Sequence, residues 1–381
     1  MTNGRKITLG WNLGDTLDAY EDGVSGETLW DNPKANQALF DGVKNAGFDI
    51  VRIPVTWMGH FGASPDFKIE EKFLQRLNEV TGMAREAGLQ VIINMHHDGF
   101  TASISEDGNN SGWLSITKAR KSQKEYNEVT LIFSQLWKQI AEYFENHGDW
   151  LMFESMNEIH DGNWGYDEDG ELNITDELKL QFEIVNKWNQ VFSDTVRAAG
   201  SNNASRYLII PGYCTVPEHT LAPYFALPKD SVPGRQIVTF HYYDPYEFAI
   251  EGSRAEWGSK EDREKVDEDF APFKEKYIDK GIPVIIGESG AVRQLYLQRG
   301  SQCSSDKAKE EKARQCRLDY ISYVYGKAKE YGLVPIYWDT GDFSGEGEKF
   351  GLFDRMTGKP NSDESAEVLK AIRAGGKKKG N

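Results

Sequence analysis

Two stretches decide the reading of this chain: Leu151–Glu158, LMFESMNE, and Pro283–Ser289, PVIIGES. Each opens as a short apolar run, the mark of a strand buried on both faces, and each finishes on or beside a glutamate. A buried strand has no reason to end on a carboxylate unless that end opens onto a site. Working outward, the same pattern recurs in ITLGWNLG from Ile7, DIVRIPV from Asp49, QVIINMHH from Gln90, YLIIPG from Tyr207, IVTFHYY from Ile237 and VPIYWDT from Val334. The strand starts are about 30 to 60 residues apart, enough for a crossover helix and its loops each time.

Helical patterns fill the gaps. Residues 33–46 open with Pro33 and close at Gly47, and residues 70–87 carry Phe73, Leu74, Leu77, Val80 and Ala84 at helical spacing before Gly88. Residues 124–147, 177–199, 261–280 and 307–331 repeat the pattern, each stopping at a glycine, and 219–226 reads as a short, ambiguous segment. Eight strand–helix units predict the α/β class and one closed (β/α)8 TIM barrel. No G-x-G-x-x-G opens a helix after the first strand, which argues against a dinucleotide fold. We expect one catalytic domain over 1–376, with residues 377–381, including Lys377, Lys378 and Lys379, as a basic tail.

Composition narrows the function classes. The 381 residues carry 44 Lys+Arg against 60 Asp+Glu, a formal charge of −16, which disfavours a phosphate-backbone partner. Aromatics make up 12%, incompatible with a disordered chain. No apolar stretch approaches the ~18 residues of a membrane span, and no apolar leader opens the chain, as in a mature form. Cys303 and Cys316 flank a polar insert, which leaves two readings: a loop disulfide with Cys214 free, or three reduced thiols. No spacing resembles a zinc site, and we expect no metal and no cofactor.

The strand ends collect chemistry. Asn12, Arg52, His96, His97, Asn157, Glu158, His241, Tyr243, Glu288 and Trp338 all fall at or just past the C-terminal ends of strands, which in a barrel open onto one rim. Alternation puts His241 with Tyr243, and Asn94 with His96, on shared faces. A lone glutamate at such a place is as readily a buried, paired structural group. Two on one rim suggest acid/base work on a glycosidic bond. The acid must stay protonated near neutral pH, and the nucleophile must stay ionised beside a cation and hydrogen-bond donors. Arg52 and Tyr243 are the candidate donors to Glu288. Asn157 is the candidate partner of the sugar hydroxyl beside the reacting carbon, and Glu154 reads as a buried carboxylate bonded to backbone or Arg52.

The segments GWNLGDTLD, VRIPVTW, INMHHD, ESMNE, FHYYDP, GES and IYWD together resemble glycoside hydrolase family 5, the retaining cellulase-type barrels, and ETLWDNP near Glu27 is similar to its subfamily 4, mostly endo-β-1,4-glucanases and xyloglucanases. The resemblance runs from about Leu9 to Asp354 in collinear order. It implies Glu158 as acid/base and Glu288 as nucleophile, with Arg52, His96, Asn157, His241, Tyr243 and Trp338 lining the site. One departure is Asp15, where the family usually has Asn.

Sugar rings present apolar faces, so Trp30, Trp57, Trp113, Trp164 and Trp257 on loops and Trp338 at a strand end are candidate platforms, while Trp137 and Trp188 fall on helical patterns and read as core. With Asn12, Trp30 and His97 added to the implied set, these form the expected substrate-binding residues. His60, His147, His160 and His219 read as structural. Asp161, Asp167, Glu168, Asp169 and Glu171 form an acidic loop without EF-hand spacing, hence solvated rather than calcium-binding. Two rival classes are a metal-dependent barrel hydrolase, disfavoured because His96 and His97 on a strand would face opposite ways, and a catalytically dead glycan-binding barrel. The expected protein is a secreted, monomeric retaining endo-β-1,4-glucanase acting on β-glucan, with xyloglucan, mixed-linkage glucan, xylan or mannan as alternative substrates. Further expectations are a binding or scaffold module beyond residue 381, and neither a nucleic-acid nor a membrane partner.

Overall fold

Eight short parallel strands close on one another in sequence order: β1 (Gly10–Asn12), β2 (Ile50–Ile53), β3 (Gln90–Ile93), β4 (Leu151–Glu154), β5 (Leu208–Pro211), β6 (Gln236–Tyr242), β7 (Val284–Ser289) and β8 (Val334–Tyr337). Neighbours pair in register, for example Arg52 with Ile92 and Asn12 with Arg52, and β1 returns to β8 through Trp11 and Tyr337. The structure, a computed structural model, describes residues 7–99, 112–167, 172–293, 307–342 and 350–375.

Strand alternation divides the apolar residues into two cores. Ile50, Ile92, Met152, Ile209, Ile237, Ile285, Val334 and Ile336 point inward and fill the lower barrel. Their neighbours Val51, Ile93, Phe153, Ile210, Val238 and Ile286 point outward and pack under the helices. Gly10 belongs to the inner layer because there is no room for more: a Cβ there would lie 2.7 Å from Ile336 Cγ1. Above this apolar floor the next inward residues are Asn12, Arg52, Asn94, Glu154, Thr239 and Glu288, all buried. The barrel is greasy below and polar above.

Each strand is followed by a helix: α1 (Gln37–Asn45), α2 (Glu71–Glu86), α3 (Gln123–Tyr143), α4 (Asp176–Ala198), α5 (Pro217–Leu221), α6 (Lys260–Lys276), α7 (Lys307–Tyr331) and α8 (Asp363–Gly375). Local chemistry fixes most starts. Asn36, Ser122 and Thr175 accept the backbone N–H of Leu39, Glu125 and Leu178, and Ser259 with Asp262 forms a reciprocal capping box at α6. α1 therefore begins after Asn36, later than Pro33 suggested. α3 stops at Tyr143, short of Gly148, because buried Arg206 donates to the carbonyls of Phe144 and His147 (both 2.9 Å) and holds them in a turn. α5 is only five residues long, the physical form of the ambiguous segment. α8 was absent from the expected helices, although it packs closely on α7 through Val368, Leu369 and Ile372.

Trp137 and Trp188 are fully buried, as core residues should be. Cys214 is buried, and half-buried Cys316 has no disulfide partner among the described residues; Cys303 and the tail 377–381 lie outside them. No helix among the described residues is long and apolar enough to cross a membrane.

Candidate active site

Arg52, inward-facing on β2 and fully buried, organises the polar layer. Its Nε donates to Glu154 Oε2 at 2.7 Å, Nη1 to Glu288 Oε1 at 2.7 Å and Asn12 Oδ1 at 3.1 Å, and Nη2 to Asn157 Oδ1 at 2.8 Å. Four strands thus meet on one guanidinium. Burial alone would lower its pKa, but the two carboxylates outweigh that and hold it charged. Since Asn157 Oδ1 accepts from Arg52, its Nδ2 is left as the donor at the mouth.

Glu288 reaches the mouth through an irregularity in β7. Ile285 faces the inner core and Ile286 the outer, so unbroken alternation would turn Gly287 inward and Glu288 outward, away from the mouth. Phe240 pairs with Ile286 while His241 pairs with Glu288, making Gly287 an extra residue on β7, and β8 shows a matching register shift. With this bulge Glu288 faces in, while Ser289 Oγ turns out to meet Tyr325 Oη at 3.0 Å. Glycine is required because a Cβ at position 287 would sit 2.7 Å from Thr239 Oγ1 and 3.1 Å from His241 Nε2.

The two glutamates converge. An oxygen of Glu158, an oxygen of Glu288 and a ring nitrogen of His241 lie within 4.8 Å of one another. His241 Nδ1 shares a 2.6 Å hydrogen bond with Glu158 Oε1 and is 3.6 Å from Glu288 Oε2, which also accepts from Tyr243 Oη at 3.1 Å. The environments differ. Burial in the cleft raises Glu158 to about 7, an effect the charge of Arg52 offsets only in part. Burial also raises Glu288, but His241 and Arg52 oppose the shift and Arg52 bonds it directly. His241 is driven down to about 4 by burial and is neutral at pH 7. One carboxyl is therefore poised to hold a proton and the other is tied to a cation.

His96 and His97 lie past the end of β3, where alternation no longer applies, and they do not face opposite ways. Their ring centroids are 4.4 Å apart, and nitrogens from both lie within 4.8 Å of an oxygen of Asp18. Burial lowers both imidazoles, and it raises Asp18 to about 6. Asp18, not anticipated from the sequence, accepts the N–H of Asp15 and Thr16 and braces this loop. Asp15 sits in the left-handed region (φ 54°), which Asp and Asn both tolerate, so its departure from Asn is conformationally neutral. Asn94, placed beside His96 by alternation, takes its bonds from three elements: its Oδ1 accepts from Val55 N, so its Nδ2 donates to Glu154 Oε2 and to His96 Nδ1. That leaves the His96 proton on Nε2, which is 3.9 Å from Glu288 Oε1. The pairing of Asn94 with His96 on one face holds.

Aromatics border the mouth. Trp338 stacks on His96 (5.7 Å, 10°), and His97 packs against Tyr20 and Trp30, the latter 37% exposed. Trp164, 39% exposed, packs on His160, and half-buried Trp113 donates to Asp98. Two expected platforms are corrected: Trp57 is fully buried and donates to Asn94 O, and Trp257 is wedged against Tyr320 and Tyr323 beneath α7. Asn12 is corrected too. Its amide donates to Gly287 O and Tyr337 O and accepts from Arg52, leaving nothing for a sugar. Asp161 of the acidic loop is neutralised by Arg120 at 2.9 Å, and Glu168, Asp169 and Glu171 lie outside the described residues.

Known proteins share this architecture. The profile of the cellulase family, glycosyl hydrolase family 5, matches residues 17–344. Endoglucanase A of Paenibacillus barcinonensis is 32% identical over 97% of this chain and 88% of its own. The xyloglucan-specific endo-beta-1,4-glucanase of Bacteroides ovatus is 34% identical over 96% of this chain and 69% of its own. Among solved structures, a GH5-4 broad-specificity endoglucanase from Bacteroides salanitronis superposes with a TM-score of 0.83 at 41% identity, covering 97% of this chain and 93% of that one. With the barrel, the paired glutamates and these matches together, the chain belongs to the cellulase family, glycosyl hydrolase family 5.

Proposed function

We propose that the protein is a retaining endo-β-1,4-glucanase in which Glu288 is the nucleophile and Glu158 the acid/base. The observation that carries this reading is the separation of the two carboxyls. Their nearest oxygens lie within 4.8 Å, close to the roughly 5–5.5 Å of retaining enzymes and short of the ~6.5–9.5 Å needed to seat a water for inversion. In the first step a Glu288 oxygen bonds to the anomeric carbon. The bond to the leaving oxygen breaks, and that oxygen takes the Glu158 proton. In the second, ionised Glu158 removes a proton from water, the water oxygen bonds to the same carbon, and Glu288 leaves as carboxylate. Asn157 Nδ2 serves the neighbouring sugar hydroxyl, and His241, Tyr243, His96 and Arg52 hold the nucleophile. Trp338, stacked on His96, lines the sugar that is cleaved, and Trp30 and His97 line its neighbours. Asn12 acts on Arg52 rather than on substrate.

This assignment predicts that Glu158→Ala, assayed with an activated aryl glycoside, is rescued by azide to give a β-glycosyl azide. An α-azide, or no rescue of a folded variant, contradicts it. A second substrate reading, xyloglucan, is favoured by the Bacteroides ovatus relative. Parallel assays on carboxymethylcellulose, lichenan, xyloglucan and glucomannan separate the two. A polymeric substrate too large to enter a cell favours a secreted enzyme, and we propose a monomer with residues 1–376 as one catalytic domain.

A further inference from the structure

We propose that Glu154 is a positioning residue for the hydrolysis: through one carboxylate oxygen it aims Arg52 at Glu288 and Asn157, and through Asn94 it sets the hydrogen-bonding state of His96. The inference rests on the roles of Glu158 and Glu288 given above. Glu154 is the last residue of β4, fully buried, and four residues from Glu158. Its Oε2 accepts from both Arg52 Nε at 2.7 Å and Asn94 Nδ2 at 2.9 Å, while Oε1 is buried with no hydrogen-bond partner among the described residues. For stability alone this is a poor arrangement, because a buried charge is best met on both oxygens. For geometry it is a strong one, because a single point fixes two donors whose far ends both reach the catalytic layer. The Arg52 fork leaves that point with Nη1 on Glu288 and Nη2 on Asn157, and Asn94 leaves it with its other hydrogen on His96 Nδ1.

Charge follows geometry. Arg52 is one cation bonded to two carboxylates, Glu154 and Glu288. Sharing it keeps Glu288 ionised without neutralising it so fully that it loses basicity. The charge of Glu154 also favours the protonated forms of Glu158 and His241. Removing it must therefore ease ionisation of both glutamates and move the whole pH profile in one direction.

The test is the pH dependence of kcat/KM for Glu154→Gln and Glu154→Asp on a soluble aryl β-cellooligosaccharide. Glu154→Gln is expected to lose about tenfold or more in kcat with KM within about threefold, and to shift both limbs of the profile to lower pH by about half a unit or more. Glu154→Asp keeps the charge but retracts the oxygen, so it should lose kcat with limbs near the wild-type positions. A folded Gln variant with unmoved limbs and kcat within about twofold of wild type overturns the proposal. So does failure of both variants to fold, which would make the role structural. Trapping wild-type enzyme with a 2-fluoro-cellooligosaccharide separates this from the parent assignment. A label away from Glu288 sinks the nucleophile assignment itself. A label on Glu288 beside an unmoved Glu154→Gln profile sinks only this inference.

Discussion

Glu158 and Glu288 share a rim and a histidine, yet their surroundings differ in charge and hydrogen bonding. Glu158 is raised to about 7 by burial and has no cation bonded to it among the described residues, whereas Glu288 accepts from Arg52 and Tyr243. On the proposed assignment the competent state is Glu158 protonated with Glu288 ionised, so kcat/KM should fall on the alkaline side as pH rises through about 7, and on the acid side as Glu288 takes up a proton above the ordinary carboxylate range. Glu158→Gln, tested on a substrate with a good leaving group, should lose the alkaline limb; a limb that persists unchanged contradicts the acid assignment. Glu158→Ala should cost about 10²- to 10⁴-fold in kcat on polysaccharide, and Glu288→Ala at least as much, with the folded content unchanged by circular dichroism. These two residues were legible because a carboxylate closing an apolar strand is costly to bury and needs either a cation or an opening to solvent beside it. Asn12 was misread for a related reason. Polar and near a strand end, it resembles a mouth residue, but it spends its amide on Gly287, Tyr337 and Arg52. Asp18 was missed because its place in the site depends on His96 and His97, which reach it from the end of β3, and the partners of Asn94 at Val55 and Glu154 were not legible because they come from other elements.

At the scale of elements, local chemistry and long-range contact divide the outcome. Six helices and all eight strands follow from apolar periodicity, and caps such as Ser122 and Thr175 set their starts. The early end of α3 does not, since it depends on Arg206, some sixty positions downstream. α8 escaped notice because no strand follows it to frame the pattern. The bulge at Gly287 is the element on which the site turns, and the sequence carried only its glycine as a hint. Gly287→Ala should destabilise the fold by about 1–3 kcal/mol in urea unfolding, as the new methyl meets Thr239 and His241. It should also lower kcat by about ten- to a hundredfold, because His241 and Glu288 are displaced together. Wild-type stability and turnover in that variant would mean the bulge is incidental.

Across the whole molecule, an apolar floor of isoleucines supports a polar layer, and loops from the strand ends build an aromatic-bordered mouth above it. Strand order and barrel closure were legible because eight β-rich runs alternate with helices, a pattern few folds accommodate. The trajectories of the loops were not, which is why Trp57 and Trp257 resembled platforms and are core. Trp30, exposed and packed on His97, should contribute to substrate binding away from the reacting carbon: Trp30→Ala is expected to raise KM by about three- to thirtyfold with kcat nearly unchanged, as read from initial rates on a soluble cellooligosaccharide series. In the proposed mechanism acid, base and nucleophile are all side chains, so turnover should persist after dialysis against EDTA; loss restored by a divalent cation would contradict that chemistry. The most direct test of the central claim is proton NMR of the anomeric signals in the first minutes of cellooligosaccharide hydrolysis. Retention through Glu288 and Glu158 predicts that the β-anomer appears first and the α-anomer only later by mutarotation, and an initial α-product would contradict the account.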